Sequence, residues 1–317
     1  MQIGDYRIEI IPDTEFKLDG GAMFGVVPRV VWERVMPADE LNRVRLNMNC
    51  LFVETPSERI LIETGIGEKW TEKQIAMYGI ERSRPLADSL FAIAGCRPED
   101  ITIVVNTHLH FDHAGGNTIL TGAQASRLHK HEVRKLQPDC TVDRPTSDSL
   151  LRNDASGTLA LQSKPQFSNA RYFVSKSEFE HAENPHERDR ASYLPENWRP
   201  MQESGQLELM PDSYEVVEGL RIEQVRGHSE TMQTVRLTRG GETLYGFADL
   251  IPTHHHLPPA WVAGFDLYPV ETLEFKKQIL PRAVAEEWIC LFYHDTETPL
   301  CRLAEIDGKL NAVGIEA

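Results

Sequence analysis

The chain has 317 residues, 41 % of them hydrophobic, enough for one large buried core or two ordinary ones. Its formal charge of −15, from 33 basic and 48 acidic residues, opposes a phosphate backbone and argues against a nucleic-acid partner. The opening "MQIGDYRIEIIPDTEF" has no basic-then-apolar leader and no apolar run approaches a membrane span, so the expectation is a cytoplasmic protein without membrane contact.

Strand-like runs come first: "YRIEII" from Tyr6, then "CLFVET" from Cys50 and "RILIET" from Arg59, which read as a hairpin about "PSE". Helical patterns follow in "EKWTEKQIAMYG" from Glu68 and "RPLADSLFAIAG" from Arg84, where Pro85 suits a first turn and Gly95 a stop. "ITIVVNT", Ile101 to Thr107, is a continuous apolar run expected of a strand buried on both faces. Between about 121 and 165 the pattern weakens around one possible helix, "ASRLHKHEVRKL", and this stretch is a candidate insertion or lid.

Beyond it, "ARYFVSKSEFEHA" predicts a strand and a helix capped by Ser175, and "LRIEQVRGH" a strand. "TVRLTRGGETLYGFAD" reads as a hairpin, "VETLEFKKQIL" and "RAVAEEW" as two helical segments, and "WICLFYHD" as a buried strand. Strands and helices mix without a strict β-α-β-α rhythm. The predicted class is therefore α+β, with two mixed sheets face to face and helices outside. The five cysteines are scattered, and Cys50, Cys96 and Cys290, among apolar neighbours, read as reduced packing residues.

Chemistry concentrates in "VVNTHLHFDHAGGN". Alternation along the strand's end sends His108 and His110 the same way, and the turn after them lets Asp112 and His113 approach from another side. Imidazole and carboxylate suit zinc or a similar divalent ion, and four such donors exceed what one open catalytic zinc site uses, so two metals are the economical reading. The plainer reading, exposed loop histidines with a capping aspartate, suits a lone histidine better than this dense cluster.

The H-x-H-x-D-H pattern of His108, His110, Asp112 and His113 resembles the signature of the metallo-β-lactamase superfamily. Further motif positions are matched by His228 in "VRGHSE", Asp249 in "GFADL" and His294 in "LFYHD". Within that superfamily the chain is most similar to quorum-quenching lactonases of the YtnP type, related to N-acyl-homoserine lactonases, through "LDGGAMFGVVPRVVWERVMPADE", "ETGIGEKWTEKQIAMYGI", "THLHFDHAGG", "ADLIPTHHH" and "FYHD".

The resemblance implies a single domain over residues 1–317 with the αββα sandwich fold, metals lying at one edge of the sheets. It implies that His108, His110 and His228 hold one metal, that Asp112, His113 and His294 hold the other, and that Asp249 bridges them. Zinc is the first choice of metal, with iron, manganese and cobalt as alternatives. The implied reaction is opening of a lactone ring, an N-acyl-homoserine lactone foremost, by attack of a metal-bridging hydroxide, with Asp112 relaying a proton to the leaving alkoxide. The alternative is a phosphotriesterase or aryl esterase on the same dinuclear site. A small-molecule lactone or ester is the expected partner, and a homodimer is possible.

The chain also departs from the acyl-homoserine lactonases. Met232 stands where they have a second histidine, and Pro252 where they have a tyrosine that assists the substrate carbonyl. His254 is the candidate replacement, against a solvated loop histidine in a run with His255 and His256. Met23, Phe24 and Phe111 are candidates for an acyl pocket and Trp261 for its wall, core packing being the alternative for each. His129, His131, His181 and His186 read as solvated. Retention of His110 argues against the iron oxidoreductases of the superfamily, which typically place glutamate there, and the acidic balance argues against RNA processing.

Overall fold

The computed structural model describes residues 1–121 and 163–315. Two seven-stranded mixed sheets form its centre. The first runs, in spatial order, Gln2–Ile3, Tyr6–Pro12, Asn49–Glu54, Arg59–Ile62, Ile103–Val105, Arg171–Ser175 and Leu207–Met210. It is antiparallel from its edge as far as Arg59–Ile62 and parallel beyond. The second runs in chain order from Tyr214–Val217 to Lys309–Gly314, with one parallel junction, Glu242–Gly246 beside Ile289–Leu291.

Alternation explains how the sheets stack. Leu220 and Ile222 are buried either side of exposed Arg221, and they pair in register with Leu237 and Val235 across the sheet. These residues pack with Leu51, Val53, Ile60 and Ile62, which share one face of the first sheet, into one apolar core between the layers. The second sheet buries its other face too. Tyr245 stacks on Trp288 with ring centroids 5.1 Å apart, and Leu280 and Ala283 of the helix Pro269–Ala285 cover this side. On the far side of the first sheet, the helix Leu86–Ala94 packs against Tyr6–Pro12, and Arg7 donates to Ile93 O and Ala94 O at its end. The αββα order is the predicted one.

Two helix expectations change. The first helical pattern begins only at Glu72, because Thr71 and Gln74 form a reciprocal capping box and Trp70 turns inward before it. The two segments near the C-terminus are one helix, Pro269–Ala285. Pro281 removes a single N–H from its ladder, and burial of Leu280 and Ala283 holds the last turn together.

Cys50, Cys96, Cys290 and Cys301 are buried free thiols. Among the described residues no helix is long and apolar enough to cross a membrane. The helix expected over "ASRLHKHEVRKL", with His129 and His131, lies outside the described residues. Thr118–Leu120 pairs antiparallel with Ser163–Pro165.

Candidate metal centre

The strand Ile103–Val105 ends at the rim between the sheets, and Asn106 to His110 continue it as buried loop. Glu63, which follows the adjacent strand, accepts from Thr107 N at 3.0 Å and fixes where that loop starts. Glu178, from the helix Lys176–Glu183, accepts from Leu109 N at 2.7 Å and so holds the backbone between His108 and His110. The short helix Phe111–Ala114 then presents Asp112 and His113. The close approach after it requires glycine: a Cβ on Gly116 would lie 2.1 Å from Thr64 O, and one on Gly115 2.2 Å from Ile66 O.

All seven residues carried by the motif resemblance converge, and all are buried. On one side, His110 Nδ1 lies 3.1 Å from both His108 Nε2 and His228 Nε2. Asp249 Oδ2 is 3.4 Å from His228 Nε2 and 3.8 Å from His108 Nε2. On the other side, His113 Nε2 and His294 Nε2 are 3.2 Å apart, with Asp249 Oδ1 at 2.9 and 3.0 Å from them and Asp112 Oδ2 at 3.6 Å from His294. Asp249 thus turns one oxygen to each group. Ala248, immediately before it, has φ of 47°, a left-handed conformation costly for any residue with a Cβ, and this kink aims the carboxylate.

The donor chemistry fits a cation. His294 Nδ1 donates to Asn47 O at 2.9 Å, and His228 Nδ1 is held by Asp266 Oδ1 at 3.0 Å, which leaves the Nε2 of each neutral ring as a lone pair aimed inward. Asp266 is itself steadied by Thr272 Oγ1, which donates at 2.6 Å. Lone pairs 3.1–3.2 Å apart cannot satisfy one another without a shared positive centre.

Burial, helped by neighbouring imidazoles, holds His108 and His110 well below the usual histidine pKa, in the neutral form that ligates. For His113, burial pushes down but Asp249 and Glu63 push up and win. For His294 and His228 the same opposition, led by Asp249, also ends upward. A divalent ion would replace the protons that this buried carboxylate otherwise attracts.

His110, Asp112, His228, Asp249 and His294 floor a cavity of about 240 Å³ whose walls include Leu18, Met23, Leu46, Tyr78, Phe111, Pro252 and Phe265, with Arg188, Asp189 and Ser192 also lining it. Of the apolar candidates, Met23 and Phe111 line this cavity. Phe24 does not: it is fully buried beneath, stacked between Trp32 at 5.2 Å and His256 at 4.7 Å, with Trp261 edge-on at 5.6 Å. Phe24 and Trp261 are therefore packing residues, absent from the cavity wall.

His254 also falls outside it. The turn His254–His256 directs His256 Nε2 at Met23 O, 3.0 Å away, and gives His254 Nδ1 to Asp295 Oδ2 at 2.5 Å. His181, expected in solvent, is mostly buried and bonds Asp189 Oδ2 at 2.8 Å, while His186 accepts from Arg188 N.

Tyr78 is the residue that sequence reasoning misses. It ends the helix Glu72–Tyr78, packs on Trp70 and Phe111 at 5.5 and 5.3 Å, and lines the cavity with no hydrogen bond to its hydroxyl among the described residues. Burial, then the charge of Asp112, raises its pKa, so the phenol stays protonated and able to donate. No spacing signal marks it, because its site partners are distant in sequence.

Residues 44–137 match the model of the metallo-beta-lactamase superfamily. An N-acyl homoserine lactonase of Bacillus cereus is 33% identical over 87 residues, 24% of this chain and 34% of that protein. The N-acyl homoserine lactonase AiiA of Bacillus thuringiensis subsp. kurstaki is 30% identical over 105 residues, 27% of this chain and 41% of that protein. The chain thus spans well under half the length of these curated relatives. Among solved structures, a probable metal-dependent hydrolase from Staphylococcus aureus superposes with a TM-score of 0.80 at 26% identity, over 100% of this chain and 99% of that one. AidC, a dizinc quorum-quenching lactonase solved with its product N-hexanoyl-L-homoserine, gives 0.71 at 17% identity, over 100% and 97%. The chain has the metallo-β-lactamase fold, and its likeness is to hydrolases of that superfamily, N-acyl homoserine lactonases among them.

Proposed function

We propose that this protein is a dinuclear metal-dependent hydrolase that opens lactone rings, N-acyl-homoserine lactones foremost. The observation that carries the reading is Asp249, one carboxylate with an oxygen turned to each of two histidine groups on the floor of a largely apolar cavity. His108, His110 and His228 would hold one ion, Asp112, His113 and His294 the other, and zinc suits these donors best. Divalent ions held there supply Lewis acidity toward an ester carbonyl and make water acidic enough to lose a proton at neutral pH.

The chain's own groups do the rest. Water adds to the acyl carbon and gives up both its protons, one passing through Asp112, which lines the cavity, to the leaving oxygen as the ring carbon–oxygen bond breaks and the other going to solvent, giving a hydroxyl and a carboxylate. Tyr78 donates a phenolic hydrogen bond to the carbonyl oxygen as negative charge builds there, a task for which the sequence offers His254 as candidate. Met23, Phe111 and Phe265 offer apolar surface to an acyl tail. The test is a panel of lactones, phosphotriesters and aryl esters on metal-reconstituted protein, ranked by kcat/KM. Medium- and long-chain acyl-homoserine lactones are expected to lead, and phosphotriesters leading by orders of magnitude would replace the substrate class while leaving the dinuclear site in place.

A further inference from the structure

The run "THHH" is only partly absorbed by the metal centre. His256 supports Phe24, but His254 and His255 remain, and they meet Glu297 from the turn that follows His294. One donor atom from each of the three lies within 4.8 Å of the others. We propose that His254, His255 and Glu297 form a second, separate divalent-cation site of the zinc class at the protein surface.

The surroundings prepare His254 for this. Asp295 takes up its own oxygens completely: Oδ1 accepts from Glu297 N at 2.9 Å and Thr298 N at 2.7 Å, while Oδ2 accepts from His254 N at 2.8 Å and bonds His254 Nδ1 at 2.5 Å. A saturated carboxylate of this kind is an orienting group rather than a ligand. It fixes the imidazole with Nδ1 protonated and Nε2 free, the arrangement found behind metal-bound histidines. The His254 side chain is 20% exposed.

His255 stacks beside it, ring centroids 3.9 Å apart, and neither its ring nitrogens nor the Glu297 carboxylate has a hydrogen bond or ion pair among the described residues. Arg45, which lines the same concavity as Glu297, has its guanidinium engaged by Glu15 at 2.6 and 2.7 Å. A concavity of about 190 Å³ lined by His255, Asp295 and Glu297 opens beside the group. Two imidazoles and one carboxylate form the three-donor set of an open zinc site and favour zinc over magnesium or calcium.

An ion here would also tie two turns that frame the buried centre. Pro252, which lines the cavity, accepts through its carbonyl from His294 N at 3.0 Å, so the His254 turn and the His294 turn already meet on their inner side. The surface ion would join them on the outer side.

The probe is Zn²⁺ alone, applied to the full chain by equilibrium dialysis at excess free ion and followed by elemental analysis. The wild type is expected to hold one equivalent more than His255→Ala and one more than Glu297→Gln. This difference reads the surface site whatever number the buried centre holds, so failure of the hydrolase reading and failure of this proposal are separable. Excess Zn²⁺ is also expected to raise the Tm of the wild type above the rise seen in either variant, since an ion bound only to the folded state stabilises it by mass action. Equal metal content in wild type and both variants, or a Tm response shared by all three, would overturn the site.

Discussion

Glu178 Oε1 accepts from Leu109 N at 2.7 Å, so a carboxylate on one helix fixes the single residue that separates two histidines of the metal centre. The same side chain takes the hydroxyl of Thr231 on its other oxygen, and it is fully buried. Glu178→Ala leaves both donors without a partner and should cost about 2–4 kcal/mol of stability, with metal affinity falling alongside. Glu178→Gln keeps an acceptor for Leu109 and, after rotation of the Thr231 hydroxyl, a donor toward it, so its cost should stay near 1 kcal/mol. Urea unfolding of the two variants at saturating metal distinguishes them, and equal losses would show that the backbone of Leu109 is held by something else.

Asp249→Ala removes the carboxylate that turns one oxygen to each histidine group. Metal content should fall from about two equivalents to one or fewer, with turnover falling in step. Elemental analysis after reconstitution decides it; a variant that still holds two ions would mean that the shared role belongs elsewhere.

Tyr78→Phe keeps the ring against Trp70 and Phe111 and deletes only the hydroxyl. Lactone kcat should drop on the order of 10- to 100-fold, the scale of losing one hydrogen bond to developing charge, while metal content and Tm hold. A shift confined to KM would make Tyr78 a binding residue and remove it from the chemical step.

Phe24 and Phe111 should part company. Phe24→Ala empties a stacked site between Trp32 and His256 and is expected to cost about 3–5 kcal/mol of stability without changing substrate ranking. Phe111→Ala alters the cavity wall, and kcat/KM should fall more for long acyl chains than for short ones, by about 1–3 kcal/mol. Ranking that moves with Phe24 instead would return that ring to the pocket.

His181 and Asp189 supply a pH signature. The hydrogen bond to Asp189 raises the folded-state pKa of His181 above its unfolded value of 6.5, despite burial pulling the other way. Its stabilisation is therefore fully present below about pH 6.5 and is lost as pH climbs through the raised folded value. Wild type should exceed His181→Gln in stability at pH 5.5, on the order of 1 kcal/mol, and the gap should close at alkaline pH. Tm measured for both at matched metal loading tests the sign, and a gap that widens with pH contradicts it.

The cluster His108, His110, Asp112 and His113 is legible in the chain because it follows the end of a strand, which alternation and turn residues mark well, whereas His228, Asp249 and His294 are reached only through the resemblance. The pairing of oxygens on Asp249 is less visible, since it depends on the left-handed Ala248 before it. Pocket residues divide on tertiary grounds. Met23 and Phe24 are neighbours with the same apolar character, and only the stacking of Trp32 and His256 decides which of them is buried beneath the other. His254 is drawn away by Asp295, a partner 41 positions later. Lys276, buried in the long helix and donating to Pro258 O and Trp261 O at 2.8 Å, reads in sequence as an ordinary surface lysine, although burial pulls its pKa down to about 7.

The pairing of Thr118–Leu120 with Ser163–Pro165 means that the chain departs from and returns to one place on the frame. Whatever length joins those two strands, the hairpin presents the same two ends to it, and the Gly115–Gly116 turn lies just upstream. The hairpin is thus a graft point, where segments of different length can be exchanged during evolution or by design without re-registering the strands that carry the histidines.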